Sequence, residues 1–427
     1  MGLSTSHPNE ENWNMSAHHV LASAVLALLM PASLLVGSQA SLAESETDPL
    51  TETGAGTGAV SETAPNLSTS TDGTQVVRLQ ALPQVVQQGG RVASPDAAQA
   101  AITATVKPVA VGRQISLQVQ RGFVWDWVDT VRQDAEGRVE FAAPAASDGQ
   151  SLTYRVKAVH DQGLKTITSN PVSTARWLTP TWTDEFSGDA LSPKWHHRGQ
   201  NFEPQSLRTC SKGDPSAVEV AGGAARLSVV KDLSRTDKCR ATVRGDFVGT
   251  YAYRLNGHIG TEGAFSFRYG VAAARIKFHR QRGQHGGFWM QPVGGMFPGG
   301  AGHEIDVIEY FGDRHPLGGL ATFVHRYQGT RMVKTGARVA RGRSFLRSRR
   351  DGWSKNYHVF SVQWTPEMLI FRIDGKETYR IRGGISSAPQ YPILSLLASD
   401  YEFPQMKDRQ LPQHMYVDWI RVWETGS

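Results

Sequence analysis

The sequence predicts an all-β chain of two domains, a small sandwich followed by a larger jelly roll, and three observations carry that expectation. Short apolar–polar alternations recur along the chain. Glycines punctuate them at turn spacing, and no stretch keeps a convincing helical period. The 43 glycines and 11 tryptophans suit an antiparallel β protein with aromatic surfaces better than a helical bundle. The length of 427 residues allows two to three domains at roughly 100–200 residues each. A hydrophobic share of 40% permits a sizeable core, and 20% charged residues argue against a membrane-embedded or wholly disordered chain. The net charge of +6 is mild and no dense Lys/Arg tract lies near the N-terminus, which argues against a nucleic-acid partner. Two cysteines are too few for a multi-ligand zinc site or a disulfide-built mini-fold.

Residues 1–43 read as a signal peptide. The apolar run from Val20 to Val36 contains Pro31 and is short of the roughly 20 residues that span a bilayer. Small residues at Ala40 and Ser41–Ala43 fit cleavage before Glu44. No Lys or Arg precedes the run, so an uncleaved anchor is the alternative. The expected location is extracellular, with cell-surface association as a variant and no stable membrane insertion after processing. Residues 44–75, rich in Ser, Thr and Gly, read as a flexible linker that cannot offset its ordering entropy by burial.

From 76 to 176 the alternation suggests a β-sandwich of immunoglobulin or fibronectin-III type. Ile102, Ala104 and Val106 share a face, as do Ile115, Leu117 and Val119, and Tyr154, Val156 and Ala158. Trp125 and Trp127 are expected to pack on a strand face, with a sugar-stacking platform as the alternative. Residues 178–427 carry longer strand-like stretches: 225–230, 264–267, 272–278, 304–311, 357–364, 369–373 and 416–423. An antiparallel unit of that size fits a two-sheet jelly roll with a cleft on its concave face. In an exported chain Cys210 and Cys239 are expected to form a disulfide; buried free thiols are the alternative if it stays inside.

The most informative segment is Glu304-Ile305-Asp306-Val307-Ile308-Glu309. Glu304 and Asp306 share a face by strand alternation, whereas Glu309 breaks parity. A β-bulge near Val307–Ile308 would bring Glu309 back to the same face. Three carboxylates on one strand face repel one another and lose solvation, which pushes some of their pKa values upward. Two carboxyls in different protonation states are what retaining glycosidic cleavage requires. A calcium site or a merely solvated acidic strand is the alternative.

That hexapeptide resembles the bulged active-site motif of family 16 of the glycoside hydrolases, laminarinase-like branch. The resemblance extends over the second domain. Asp184–Gly188 with Leu191 and Trp195 is similar to the family's opening, and Phe265–Gly270 with Ala274–Lys277 to its central strands. Gly287–Met290, Trp364–Pro366, Asp374-Gly375 and Val417–Val422 follow in family order. The resemblance implies a jelly roll that cleaves internal β-1,3-glucan-type bonds by a retaining double displacement. It implies Glu304 as nucleophile, Glu309 as general acid/base and Asp306 as the residue that orients the nucleophile. It also implies Trp289 as a sugar-stacking face and Arg275 and His325 as cleft residues that bind hydroxyls. No cofactor is implied for catalysis, but a structural calcium is, near Asp418 with backbone oxygens from around Glu185 and Gly223. Four positions depart from the family pattern: Ala273, His285, Ser395 and His303. They leave the sugar open, so another β-linked galactan or acidic glycan, transglycosylation, or carbohydrate binding without turnover are the alternatives. The basic stretch Arg338, Arg341, Arg343, Arg347, Arg349 and Arg350 reads as a solvated loop or as a cleft-side attractor of an anionic polysaccharide. The expected partner is polysaccharide, acted on by a monomer.

Overall fold

A computed structural model describes residues 65–426 of the chain. The expected signal peptide and most of the expected linker lie outside the described residues. Regular structure among the described residues is β-strand, interrupted only by short 3₁₀ turns.

The N-terminal domain is a two-sheet sandwich. One sheet orders Leu67–Asp72, Gln75–Ala81, Ala100–Lys107 and Arg138–Ala143; the other orders Ile167–Thr168, Thr153–Ala158, Gln114–Arg121 and Val124–Arg132. The alternating residues singled out from the sequence, among them Ile102, Ile115, Leu117 and Val156, form its core. Two expectations need correction. The end of the supposed linker is a strand: Leu67–Asp72 pairs with Gln75–Ala81 through a tight turn at Gly73, whose φ of 58° is left-handed. This edge strand has little apolar content because backbone pairing and the Ser68 hydroxyl on the Asn170 carbonyl hold it. Trp125 and Trp127 do not pack inward. They are in register with Gln120 and Gln118, which alternate with the buried Leu117 and Val119 and therefore face out. Val128 and Val131 supply that strand's core contact. Trp127 is 66% exposed, and Trp125 lies under the Arg155 guanidinium.

The larger domain is built from twelve long strands: β1 (Ala224–Lys231), β2 (Arg254–Gly260), β3 (Gly270–Lys277), β4 (His285–Pro292), β5 (Glu304–Tyr310), β6 (Leu320–Gln328), β7 (Arg331–Arg338), β8 (His358–Trp364), β9 (Met368–Ile373), β10 (Lys376–Arg382), β11 (Gln390–Leu397) and β12 (Gln413–Glu424). Hydrogen bonding runs β7-β6-β5-β4-β11-β2-β1-β12-β3-β8-β9-β10. The sheet folds over on itself, so that Phe288, Ile305 and Ile308 from one half meet Ala274, Phe360, Val417 and Ile420 from the other in a single core. The stretch 264–267, expected as a strand, is a turn closed by Thr261, with only Phe267 bridging Gln390. Cys210 and Cys239 are joined by a disulfide across 29 residues. Closing a loop of that size contributes roughly 3–4 kcal/mol in the chain-entropy picture.

Between Ala81 and Ala100 the chain leaves the sandwich and lies on the outer face of β3, β8 and β12. Leu82, Val85 and Val86 pack there against Val271, Val359, Trp419 and Trp423. Gly89 bridges Tyr357, and Gln87 accepts from the Trp419 indole at 2.6 Å. A bulge at Asp418, where Arg275 faces Trp419 but Ile276 faces Val417, turns Asp418 and Trp419 to this same side.

Two residues expected elsewhere are found in this covered face. Arg275 is not in the cleft. It shares the outward parity of Val271 and Ala273 and is 1% exposed beneath the excursion, where it donates to the Gln87 and Arg91 carbonyls and to Asp418. Ala273, the departure noted from the family's cleft pattern, is buried beside it. Asp418, the one carboxylate expected to hold a calcium ion alongside backbone oxygens near Glu185 and Gly223, is not free to ligate one. The Asp418 carboxylate is held by Arg275, and Glu185 is held by a two-pronged contact from Arg421 at 2.7 and 2.8 Å. Val92 of the excursion sits against Gly223, where an added Cβ would approach it to 3.0 Å. Guanidinium groups do here what a divalent cation would otherwise do.

Removing one member of a buried pair leaves the other charge uncompensated, at a cost of about 3–5 kcal/mol. Arg275→Ala should therefore lower the thermal midpoint sharply in calorimetry, whereas EDTA or added calcium should leave the wild-type midpoint unchanged. A calcium-dependent midpoint would contradict the cation replacement.

Candidate active site

Strand β5 places the acids, and its irregularity decides where they point. Against β4, Asp306 faces Trp289 and Glu309 faces Gly287; against β6, Asp306 faces Phe323 and Glu309 faces Ala321. Positions two apart on each neighbour thus match positions three apart on β5, so one extra residue is accommodated in between. Val307 and Ile308 both turn into the core, at 2% and 1% exposure, and the Val307 carbonyl accepts from the Thr322 hydroxyl at 3.0 Å. Glu304, in register with His325, completes the set. All three carboxylates share the face opposite the core.

Each acid has its own partner. The Gln291 amide nitrogen donates to Glu304 Oε2 at 3.0 Å. Its amide oxygen accepts from Arg198 at 3.0 Å and from the Tyr391 hydroxyl at 3.1 Å, which fixes which end of the amide meets Glu304. His325 Nε2 lies 3.4 Å from Asp306 Oδ2. Burial pushes the Asp306 carboxyl up to about 6, with the Glu304 charge adding to the rise and His325 opposing it. Burial, and then the Asp306 charge, push the Glu309 carboxyl up to about 7. Burial alone would lower His325, but the hydrogen bond to Asp306 and the charges of Asp306 and Glu304 together raise the imidazole above its ordinary range.

The rest of the face is furnished by β4 and β11. Trp289 is half-buried, donates its indole N–H to Ser395 Oγ at 3.0 Å and stacks on His258 at 5.8 Å. The departure His285 is on this face too; its ring meets Glu402 at 2.7 Å. Burial would depress that imidazole, yet Glu402 and Glu309 together raise it. His303, another departure, is buried next to the strand's start, where desolvation lowers it to about 4. Gly287 directly opposes Glu309 and leaves the space beside that carboxyl free of a side chain.

The structure thus brings together Glu304, Asp306, Glu309, Trp289 and His325, and it separates Arg275 from them. Ligand-capable atoms of Glu304, Asp306 and His325 lie within 4.8 Å of one another. Gln291 and His325 already engage those oxygens. The positioning group Gln291, Arg198 and Tyr391 was not found from the sequence, although Gln291 lies two residues from Trp289 and so shares its face. Arg198 and Tyr391 come from distant segments and leave no local signal.

Several known proteins are similar to part of this chain. A glucan endo-1,3-beta-glucosidase A1 of Niallia circulans is 25% identical over 264 residues, covering 57% of this chain. The chain spans 37% of that relative's length. Among solved structures, the laminarinase catalytic domain from Thermotoga maritima superposes with a TM-score of 0.44 at 20% identity, over 58% of this chain and 99% of that one. LamAcat from Zobellia galactanivorans gives 0.45 at 16% identity, over 58% and 98%. Residues 225–421, within the jelly-roll domain, match the model of Glycosyl hydrolases family 16.

Proposed function

We propose that the chain is an exported endo-acting β-glycanase that cleaves internal β-1,3-glucan-type bonds with retention of anomeric configuration. The observation that carries this reading is the bulge at Val307–Ile308, which sets Glu309 on the face of Glu304 with its carboxyl raised toward neutrality. Retaining cleavage needs such a pair on one side of the bound sugar, one member protonated and the other able to attack.

In the first step the Glu304 carboxylate attacks the anomeric carbon, forming a glycosyl ester as the glycosidic C–O bond breaks. Glu309 delivers its proton to the departing oxygen. In the second, the Glu309 carboxylate takes a proton from water, which attacks the anomeric carbon and releases Glu304. Gln291 aims the nucleophile through its single N–H···O contact. Asp306, tied to His325, holds a second carboxyl beside Glu304 whose protonation limits the negative charge there. Trp289 offers an apolar ring to the face of a pyranose. Export is supported by the Cys210–Cys239 disulfide, a bond that persists in oxidising surroundings.

Glu304→Ala and Glu309→Ala should each lower kcat on a β-1,3-glucan by about 10³-fold or more, read as reducing-end release. Azide should restore turnover of an activated substrate in both, giving an inverted glycosyl azide from Glu304→Ala and a retained one from Glu309→Ala. Full activity in either variant would end the assignment, and cleavage confined to a galactan in a substrate panel would move it to another β-glycan.

Because Glu309 must carry its proton, kcat/KM should fall about tenfold per pH unit above about 7. Glu309→Gln should abolish that limb on substrates whose leaving group needs no acid. The same raised carboxyl costs stability as pH rises: folding favours its protonated form, so the penalty is absent below its unfolded pKa and grows as pH climbs through about 7. Glu309→Gln should therefore raise the melting temperature at pH 8, by roughly 2–5 °C, and have no such effect at pH 4.

A further inference from the structure

Beyond the C-terminal end of β5, three loops enclose a cavity of about 1560 Å³. Six arginines line it: Arg280, Arg314, Arg338, Arg341, Arg343 and Arg349. Only two carboxylates join them, and both are consumed by the fold. Asp313 accepts from the Tyr310 and Ser354 hydroxyls. Asp351 accepts from the Arg347 and Gly352 amides, the Asn356 side chain and His358. Among the described residues none of the six arginines forms an ion pair with a carboxylate. Like charges so gathered repel one another and are left without a counter-charge.

The arrangement is not a loose basic loop. Val339 and Trp353 are buried at its two ends, and Phe345 and Leu346 between them pack against the main core. Arg314 and Arg341 are held at φ values of 57° and 51°, a left-handed backbone that side-chain-bearing residues seldom adopt. Nη1 of Arg338 is shielded from solvent with no hydrogen-bond partner. Arg338 also ties the cavity to the acids, since it is in register with Ala321, which is in register with Glu309.

We propose that this cavity binds an oxyanion substituent, a carboxylate or sulfate ester, carried by the polysaccharide that occupies the cleft, so that the preferred substrate is an anionic β-glycan. Guanidinium groups present paired N–H donors that match such oxyanions. The inference rests on the hydrolase reading and names its substrate class. A substituent on the same chain as the scissile bond is favoured over a free anion because Arg338 spans from the cavity to the strand beside Glu309.

The test compares a neutral β-1,3-glucan with carboxymethylated and sulfated derivatives of the same glucan. At low salt the wild-type KM should be about 5- to 20-fold lower for a charged derivative, an advantage lost at about 0.5 M NaCl by screening. Whichever derivative shows the larger drop identifies the substituent. Arg343→Ala/Arg349→Ala should lose the preference while keeping kcat/KM on neutral glucan within about twofold, as both side chains are exposed and outside the catalytic face. Equal KM for neutral and charged polymers, or a preference untouched in the double variant, would overturn the proposal while leaving the hydrolase reading intact. No turnover of any of the three polymers would instead overturn the hydrolase reading; retardation of Glu304→Ala in a gel containing the charged glucan, relieved by the arginine changes, would then still support the cavity. A melting-temperature rise with millimolar inorganic phosphate but no preference among polymers would make it a free-anion site and overturn the polysaccharide assignment. Retardation by single-stranded DNA as strong as by charged glucan would do the same.

Discussion

One inserted backbone residue sets the chemistry of this molecule. A regular strand from 304 to 310 would send Glu309 into the apolar core, where a carboxyl has no partner and no substrate. Because Val307 and Ile308 both turn inward, the second glutamate emerges beside the first. The bulge costs one unpaired position in the ladder, and the Thr322 hydroxyl satisfies its carbonyl. The elevation of Glu309 depends on that parity, which sets its carboxyl in a desolvated place beside the Asp306 charge.

The two outer faces of the jelly roll carry opposite kinds of charge management. On the acidic face carboxylates are crowded, partly desolvated and only lightly compensated, which stores free energy in a form useful for proton transfer. On the covered face two carboxylates are paired with guanidinium groups: Asp418 with Arg275, Glu185 with Arg421. There the groups are locked, and Trp419 and the excursion from the sandwich keep water away. The same chemical groups are reactive in one place and structural in the other because of what surrounds them.

Much of this was legible in the sequence. The all-β class followed from alternation and glycine spacing, and the bulge followed from three acids at positions 304, 306 and 309 within an apolar strand. What escaped was long-range. The strand Gln390–Leu397 is buried throughout, so it shows no alternation to reveal it. Arg275 sits on a strand whose outward face looks open until a segment nearly 190 positions earlier is laid over it. Trp125 and Trp127 look like core residues because nothing local says that Val128 and Val131 fill that role. Gln291 shares a face with Trp289, but its purpose appears only once Arg198 and Tyr391 converge on its oxygen.

The excursion between Ala81 and Ala100 changes what counts as a separable piece. Cutting the chain at position 178, where composition suggests a clean join, would bare two indoles and a row of aliphatic groups and strip Arg275 of its carbonyl ligands. The accessory module is therefore also a lid on the jelly roll. Swapping it for another module would succeed only if the replacement brought its own cover for that surface.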